Sequence, residues 1–375
     1  MNIKKVDSND AKGMSRNRIY QLIYREGKIS KPEISEKLGI SMPTVMQNIE
    51  TLKAEGLIFE SGQSDSTGGR KATTFSCVPH ARYSIGIDIT LNHISGTLVN
   101  LNGQIIKNIR VKEKFKNSDD YYKNIGTMVD ELIRQSGVGK DLVLGVGIVV
   151  PGVLSDDSQT MLNSYVFQTR DLRCQDVAKY ISYPTIFCND ANAACIAEVW
   201  NMPETRNCVY ISLSNSVGGA ILIDNQLFQG ENKRAAEFGH ITIERNGRHC
   251  CCGKKGCLDV YCSASVLSDQ ASGDLENFFS LLNQKDPKIS ALWADYVDYL
   301  ATGVNILRAA FDCDVIIGGY VGFFMGEHIR ELVETAASLN TFEKSADYIK
   351  PCKLKSDAAA IGGALLFIRP FVETI

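Results

Sequence analysis

The 375-residue sequence has no run of about 18 apolar residues, the length a membrane-crossing helix needs, so no spanning helix is expected. Nor does it open on an apolar signal segment, since its start reads Met1-Asn2-Ile3-Lys4-Lys5-Val6-Asp7. Without one the chain is expected in the reducing cytoplasm, where its twelve cysteines read as metal ligands or core thiols instead of disulfides. Charge of one sign is scarce too: a net −3 over the whole chain advertises no polyanionic partner. That total hides an asymmetry. Residues 1–80 carry 12 Lys and Arg against 9 Asp and Glu, and the rest carries 28 against 34, so the basic piece is N-terminal. The length allows two or three domains with ample core.

What the chain does have is a cysteine-dense stretch. Glu237-Phe238-Gly239-His240 precedes Cys250-Cys251-Cys252-Gly253-Lys254-Lys255-Gly256-Cys257-Leu258-Asp259. Zinc takes four tetrahedral nitrogen and thiolate ligands, and a Cys-x-Cys pair, a third Cys after a Gly-x-x-Gly turn and a nearby His supply them. His240, Cys250, Cys252 and Cys257 are therefore the expected ligands of a Zn²⁺ ion. Four protein ligands leave no open position, which makes that ion structural. Gly253 and Gly256 allow the tight turn that returns Cys257 to the metal, and Cys251 is expected to point away. Buried thiols packed as small hydrophobes are the plainer alternative. Four Cys within eight positions beside two glycines suit an apolar core poorly.

The basic N-terminal piece reads helix, helix, turn, helix, hairpin. Arg16 to Arg25 carries Ile19, Leu22 and Ile23 at helical spacing. Ser30-Lys31-Pro32-Glu33 has the form of a capping box, opening a second helix that buries Ile34 and Leu38 and ends at Gly39. Ser41 caps a third, Met42 to Glu55, with Val45, Ile49 and Leu52 inward. Pro43, Thr44, Gln47 and Asn48 are left near its N-terminal outer face, the part a recognition helix presents to base edges in the major groove. Leu57 to Glu60 and Thr73 to Phe75 flank a polar loop ending in Gly68-Gly69-Arg70-Lys71, the pattern of a wing. Arg70, with Lys71 beside it, suits a minor groove or a phosphate. The segment resembles the DNA-binding domains of bacterial repressors; a small helical domain that binds protein is the alternative.

Pro79 and His80 mark the expected linker. Beyond it, Tyr83 to Ile89 reads as a buried strand, Ile94 to Leu101 as a second, Asn102-Gly103 as a hairpin turn and Ile105 to Val111 as a third. The plan returns with Cys208 to Leu213, Gly219 to Ile223, a turn at Asp224-Asn225 and a strand from Leu227. Two such starts, each followed by helical segments, predict a duplicated α/β domain with a cleft between its halves.

Five stretches resemble the ROK family of repressors and sugar kinases: Gly145 to Gly152, Cys188-Asn189-Asp190-Ala191-Asn192-Ala193-Ala194, the Glu237 to His240 motif with its cysteine knot, Val315 to Gly319, and Ala360 to Ala364. The resemblance implies an α/β fold with an N-terminal winged helix-turn-helix over residues 1–80. An actin-like, ribonuclease-H-like sugar-kinase domain in two lobes would fill residues 81–375. Its first lobe is expected over about 81–190 plus the C-terminal helix, and its second over about 191–355. It also implies a sugar pocket at Gly152, Asn189, Asp190, Glu237, His240 and Asp259, with Asp190 where the kinases keep a general base. One ring nitrogen of His240 would bind the metal while the other meets a sugar hydroxyl. On spacing alone, Asp190 equally suits the N-cap of a helix from Ala191 to Val199.

Three departures from the kinase pattern bear on activity. Asp88-Ile89-Thr90-Leu91-Asn92 stands where the kinases have Asp-x-Gly-Gly-Thr, so the glycines are lost and Leu91 is bulky. Ser214-Asn215-Ser216-Val217-Gly218 stands for their Gly-Thr-Gly-x-Gly. Asp259 replaces a usual Glu and puts the sugar's identity in doubt. Phosphoryl transfer depends on such cradles, so no enzyme activity is expected. The expectation is a sugar-responsive repressor that binds operator DNA and an unphosphorylated sugar as a homodimer or tetramer. The alternatives are an active sugar kinase with a DNA-binding arm, and a regulator with a vestigial pocket controlled by a protein partner such as a sugar-transport component.

Overall fold

The computed structural model describes residues 8–64, 71–354 and 357–375. Its first helix, Ser8–Glu26, is longer than the apolar spacing predicts, and Lys31–Leu38 and Met42–Ala54 follow. The capping box forms: the Ser30 N–H, which the helix leaves unpaired, donates to the Glu33 carboxylate at 2.8 Å. Val45, Ile49 and Leu52 are fully buried. Strands Ile58–Gln63 and Thr73–Cys77 pair antiparallel as the wing. Ile29–Ser30 adds a third strand against Phe75 and Thr74, a pairing too short to leave a periodic signal. The wing tip, with Gly68, Gly69 and Arg70, lies outside the described residues, and Lys71 is exposed.

The expected linker is a packed turn. Pro79–Ala81 is a 3₁₀ turn whose Pro79 carbonyl accepts the Leu101 N–H at 3.0 Å, and Ala81 is buried. The cause is a shared core: Ile19, Ile23 and Ile49 of the winged helix belong to one apolar cluster with Leu101, Ile361 and Leu365.

Two five-stranded sheets follow, with the same topology. The first runs in spatial order Thr185–Asn189, Val143–Val150, Tyr83–Ile89, His93–Asn100 and Ile105–Lys112. The second reads Ile349–Pro351, Asp314–Gly318, Cys208–Leu213, Val217–Ile223 and Gln226–Leu227. In each, the strand opening the repeat lies central, antiparallel to its hairpin neighbour and parallel to the other. Asp224 and Asn225 adopt left-handed φ of 49° and 62° to make the second hairpin turn. A small antiparallel sheet not expected from the sequence, Val153–Leu154, Thr160–Ser164 and Thr169–Arg173, is inserted after Val150.

Helix Asp190–Trp200 packs on strands of the second sheet, the final helix Ala358–Thr374 on strands of the first, and the two helices pack on one another. A Cβ at Gly362 would lie 1.7 Å from the Ala193 carbonyl oxygen, so only glycine permits this approach. The buried Glu198 carboxylate accepts the Lys353 and Leu354 N–H groups, each at 2.9 Å, fastening the first of these helices to the segment before the last. Helices Pro287–Phe311 and Gly319–Leu339 cover the second sheet around Trp293. Among the described residues no helix is long and apolar enough to cross a membrane.

Candidate functional site

The cleft is built where the first sheet hands the chain to helix Asp190–Trp200. Asn189, with extended φ −70° and ψ 145°, is the N-cap: its Oδ1 accepts the Asn192 N–H at 3.1 Å. The cap thus falls one residue before Asp190, which is already helical. The Asn189 Nδ2 donates to the Gly152 carbonyl at 3.2 Å, tying the helix start to the Pro151-Gly152 turn. Both ends of this amide are engaged within the protein, and Asp190 is the group that lines the cleft.

The carboxylates there are crowded. Burial pushes Asp190 up to about 6, the Glu237 charge adds to this, and the backbone N–H groups of Ala191 and Asp190 itself oppose it. Asp88, at the end of the first strand, is pushed up to about 7 by burial, then by the Asp190 charge, with Arg110 opposing. Glu237 stands on an exposed lip, and His240 acts electrostatically on both Glu237 and Asp259. Asp190 and Glu237, and His240 with Glu237 and Asp259, are thus within electrostatic reach of one another, and Asp190 is the one of the four that lines the cleft beside Asp88. One oxygen of Asp259 is engaged within the protein: Oδ1 accepts the Val217 N–H at 2.7 Å and so joins the cysteine knot to the strand Val217–Ile223.

The side of the cleft nearer Asp88 is lined by Thr90, Leu91, Ser214, Asn215, Ser216 and Tyr320. The Thr90 hydroxyl is engaged within its own turn, donating to the His93 carbonyl and accepting the His93 N–H, each at 3.1 Å. The Ser214 hydroxyl is shared with Ser212 at 3.3 Å.

His240, Cys250, Cys252 and Cys257 converge, their ligand atoms all within 4.8 Å of one another. The Cys250 Sγ lies 3.7 Å from His240 Nδ1, and the Cys252 and Cys257 sulfurs are also 3.7 Å apart. A tetrahedral ion with metal–sulfur bonds of about 2.3 Å sets sulfur–sulfur edges near ~3.8 Å, so the cluster has the dimensions to hold a metal ion. Gly256, at φ 75°, makes the turn possible, since a Cβ there would meet the Glu244 carbonyl oxygen at 1.6 Å. Cys251 is exposed but does not point away as expected: its Sγ lies 4.0 Å from that of Cys250 and within 4.8 Å of an Asp259 carboxylate oxygen, a second possible ligand group. With Nδ1 turned to the thiols, Nε2 is the ring nitrogen left for any other contact.

On the third helix Gln47 is exposed, whereas Thr44 and Asn48 are half-buried. The Asn48 amide donates to the Thr44 carbonyl at 2.8 Å, and the Thr44 hydroxyl lies 2.9 Å from that of Ser41. Sequence reasoning missed Met42 and Met46 on this helix, exposed by 37% and 50%; falling off the buried Val45-Ile49-Leu52 stripe was their signal. It also missed Trp200. The indole of Trp200 meets the Tyr24 ring edge-on at 6.1 Å and donates to the Asn102 carbonyl at 3.2 Å, while the Tyr24 hydroxyl donates to the Leu101 carbonyl at 2.6 Å.

A winged helix packed on the final helix of a domain with two sheets of repeated topology, with a carboxylate cleft and a Cys-His cluster, defines a two-lobed sugar-kinase-like domain carrying a DNA-binding module. The chain belongs to the ROK family, matching it over residues 84–369, and matches the winged helix-turn-helix DNA-binding family over residues 15–58. It is 31% identical to the xylose repressor of Bacillus subtilis (strain 168), with 98% of each chain covered. A solved ROK family transcriptional regulator, a homologue of the E. coli MLC protein, has the same fold with a TM-score of 0.78, 19% identity and 97% of each chain covered. The ROK family glucokinase of Streptomyces griseus, solved with glucose and AMPPNP, matches with a TM-score of 0.61 and 23% identity over 76% of this chain and 99% of its own.

Proposed function

We propose that this chain is a sugar-responsive DNA-binding repressor whose kinase-like domain binds an unphosphorylated sugar without phosphorylating it. The observation that carries the reading is the helix Asp190–Trp200, which begins at the cleft's carboxylate and ends on the indole packed against Tyr24 of the DNA-binding module. Its 11 residues make a rod about 15 Å long. A sugar held by Asp190, Glu237 and His240 acts on one end and the winged helix feels the other. Cleft closure then changes the spacing of the two winged helices in a homodimer, and operator affinity changes only as far as the sugar prefers one conformation. Thr44, Gln47 and Asn48 read base edges, and Arg70 and Lys71 hold the wing to the groove or to phosphate.

Zinc is the ion proposed for His240, Cys250, Cys252 and Cys257, where it is structural and fixes the tautomer and aim of the His240 ring. The lack of phosphoryl transfer rests on the two turns at Leu91 and Ser214 to Val217. A Leu side chain and hydroxyls already engaged are poor replacements for open backbone N–H groups. An assay coupled to ADP release, over a sugar panel, is expected to stay at background.

The test is a thermal-shift screen of the metal-loaded protein against free and phosphorylated pentoses, hexoses and N-acetylhexosamines, D-xylose first because of the xylose repressor relative. One unphosphorylated sugar should raise Tm by mass action, weaken binding to DNA selected from random sequence, and lose both effects in Asp190→Ala. No shift with any sugar, while metal and DNA binding are intact, would mean a vestigial pocket and control by a protein partner. Arg70→Ala is expected to weaken DNA binding without changing the sugar response.

A further inference from the structure

We infer that Tyr165 is the aromatic wall against which the bound sugar lays its C–H face, and that it sets which epimer the cleft accepts. This rests on the sugar-binding reading above, and supplies what the polar groups lack, an apolar surface. Tyr165 opens the four-residue turn between strands Thr160–Ser164 and Thr169–Arg173, in the inserted sheet that no sequence pattern announced. Its ring is 64% exposed and stands edge-on to the His240 imidazole, centroids 6.5 Å apart and planes at 78°. Its neighbour Val166 lines the cleft.

An exposed tyrosine on a loose loop would mean little, but this turn is pinned on both sides. The Ser164 hydroxyl donates to the Pro151 carbonyl, in the turn that Asn189 braces. Phe167 donates its N–H to the Ser164 hydroxyl at 3.0 Å and stacks on Phe115 at 3.9 Å with planes 7° apart. The fold thus fixes the backbone around a large ring and leaves the residue largely in solvent. Burying it against a ligand recovers apolar area.

A sugar ring has two kinds of surface: a rim of hydroxyls and faces of polarised C–H groups. Asp190, Glu237 and the His240 ring offer acceptors and a donor to the rim. The negative π-face of Tyr165 attracts C–H groups carrying partial positive charge. An axial hydroxyl on the stacked face would lift the sugar off the ring and leave that hydroxyl desolvated, so the wall discriminates between epimers.

The experiment is calorimetric titration of the wild type, Tyr165→Ala, Tyr165→Phe and Asp190→Asn with the sugar that shifts Tm and with its epimers. Tyr165→Ala is expected to weaken the preferred sugar about tenfold and to narrow the gap to the epimers, while Tyr165→Phe stays close to wild type. As a second readout, the sugar should protect Tyr165 from nitration by tetranitromethane, mapped by peptide mass, which a purely structural role would not produce. Unchanged affinity and epimer preference in Tyr165→Ala, with binding weakened in Asp190→Asn, overturns the wall and leaves the sugar pocket standing. If the wild type binds no sugar, the pocket reading fails first and the wall falls with it.

Discussion

The two sides of the cleft are held in opposite ways. On the His240 side, donors are fixed from outside the pocket: three sulfurs converge on one imidazole nitrogen, Gly256 folds the knot against Glu244, and Asp259 ties it to Val217. On the Asp88 side the turns satisfy themselves, Thr90 on His93 and Ser214 on Ser212, while Leu91 lines the space. The difference teaches what each kind of recognition needs. A hydroxyl-rich ligand is gripped by side chains that a distant scaffold can aim. A phosphate needs empty volume and unengaged backbone N–H groups, and the proposed lack of phosphoryl transfer rests on these turns not offering them.

The strongest way to break this contrast is to cut the knot. Cys257→Ser is expected to lose the metal, to lower Tm on the order of 10 °C, and to abolish sugar binding because His240 is no longer aimed. Metal analysis, a melting curve and a sugar titration check it; a variant that keeps its metal would sink the ligand set. Removing the carboxylate instead tests the pocket without the scaffold. Asp190→Asn should raise the sugar Kd by about 10- to 100-fold, the worth of a charged hydrogen bond, and leave sugar-free DNA binding intact.

A smaller effect is expected at the far end of the rod. Trp200→Ala should leave sugar affinity within about twofold but cut the sugar's effect on DNA affinity several-fold, since coupling energies of about 1–3 kcal/mol are at stake. Anisotropy titrations with and without sugar measure this, and an unchanged ratio would remove the helix from the mechanism.

The smallest concerns the other side. Asp88 has its pKa raised from the ordinary carboxylate range to about 7, so the folded state binds a proton that the unfolded state has already released. Its contribution is whole below about pH 4 and is lost as pH rises toward 7, where an unprotonated, buried carboxylate remains. Asp88→Asn should therefore melt a few degrees above wild type at pH 8, with the gap closing toward pH 4. A gap of the opposite sign would mean that a cation or ligand compensates the charge.

Much of this was legible in the chain. The capping box at Ser30, the stripe Val45-Ile49-Leu52, the unbroken strand Tyr83–Ile89 and the paired hairpin turns are local patterns, set by a few adjacent residues and one backbone geometry. The convergence of His240, Cys250, Cys252 and Cys257 was legible for the same reason, since these residues lie at short spacing around two glycines. Those features the sequence determined by itself. Only the tertiary structure decided which polar groups remain available. Asn189 and Asp259 look like sugar contacts in the motif, and the fold also gives each a structural bond, one capping a helix and bracing Gly152 and the other holding Val217, through partners 37 and 42 residues away. Tyr165 beside His240 and Trp200 against Tyr24 were likewise invisible, each pair formed by chain folding over long separations. A side chain's type is written in the sequence, but whether it is spent inside the protein or left for a ligand depends on what the fold sets beside it.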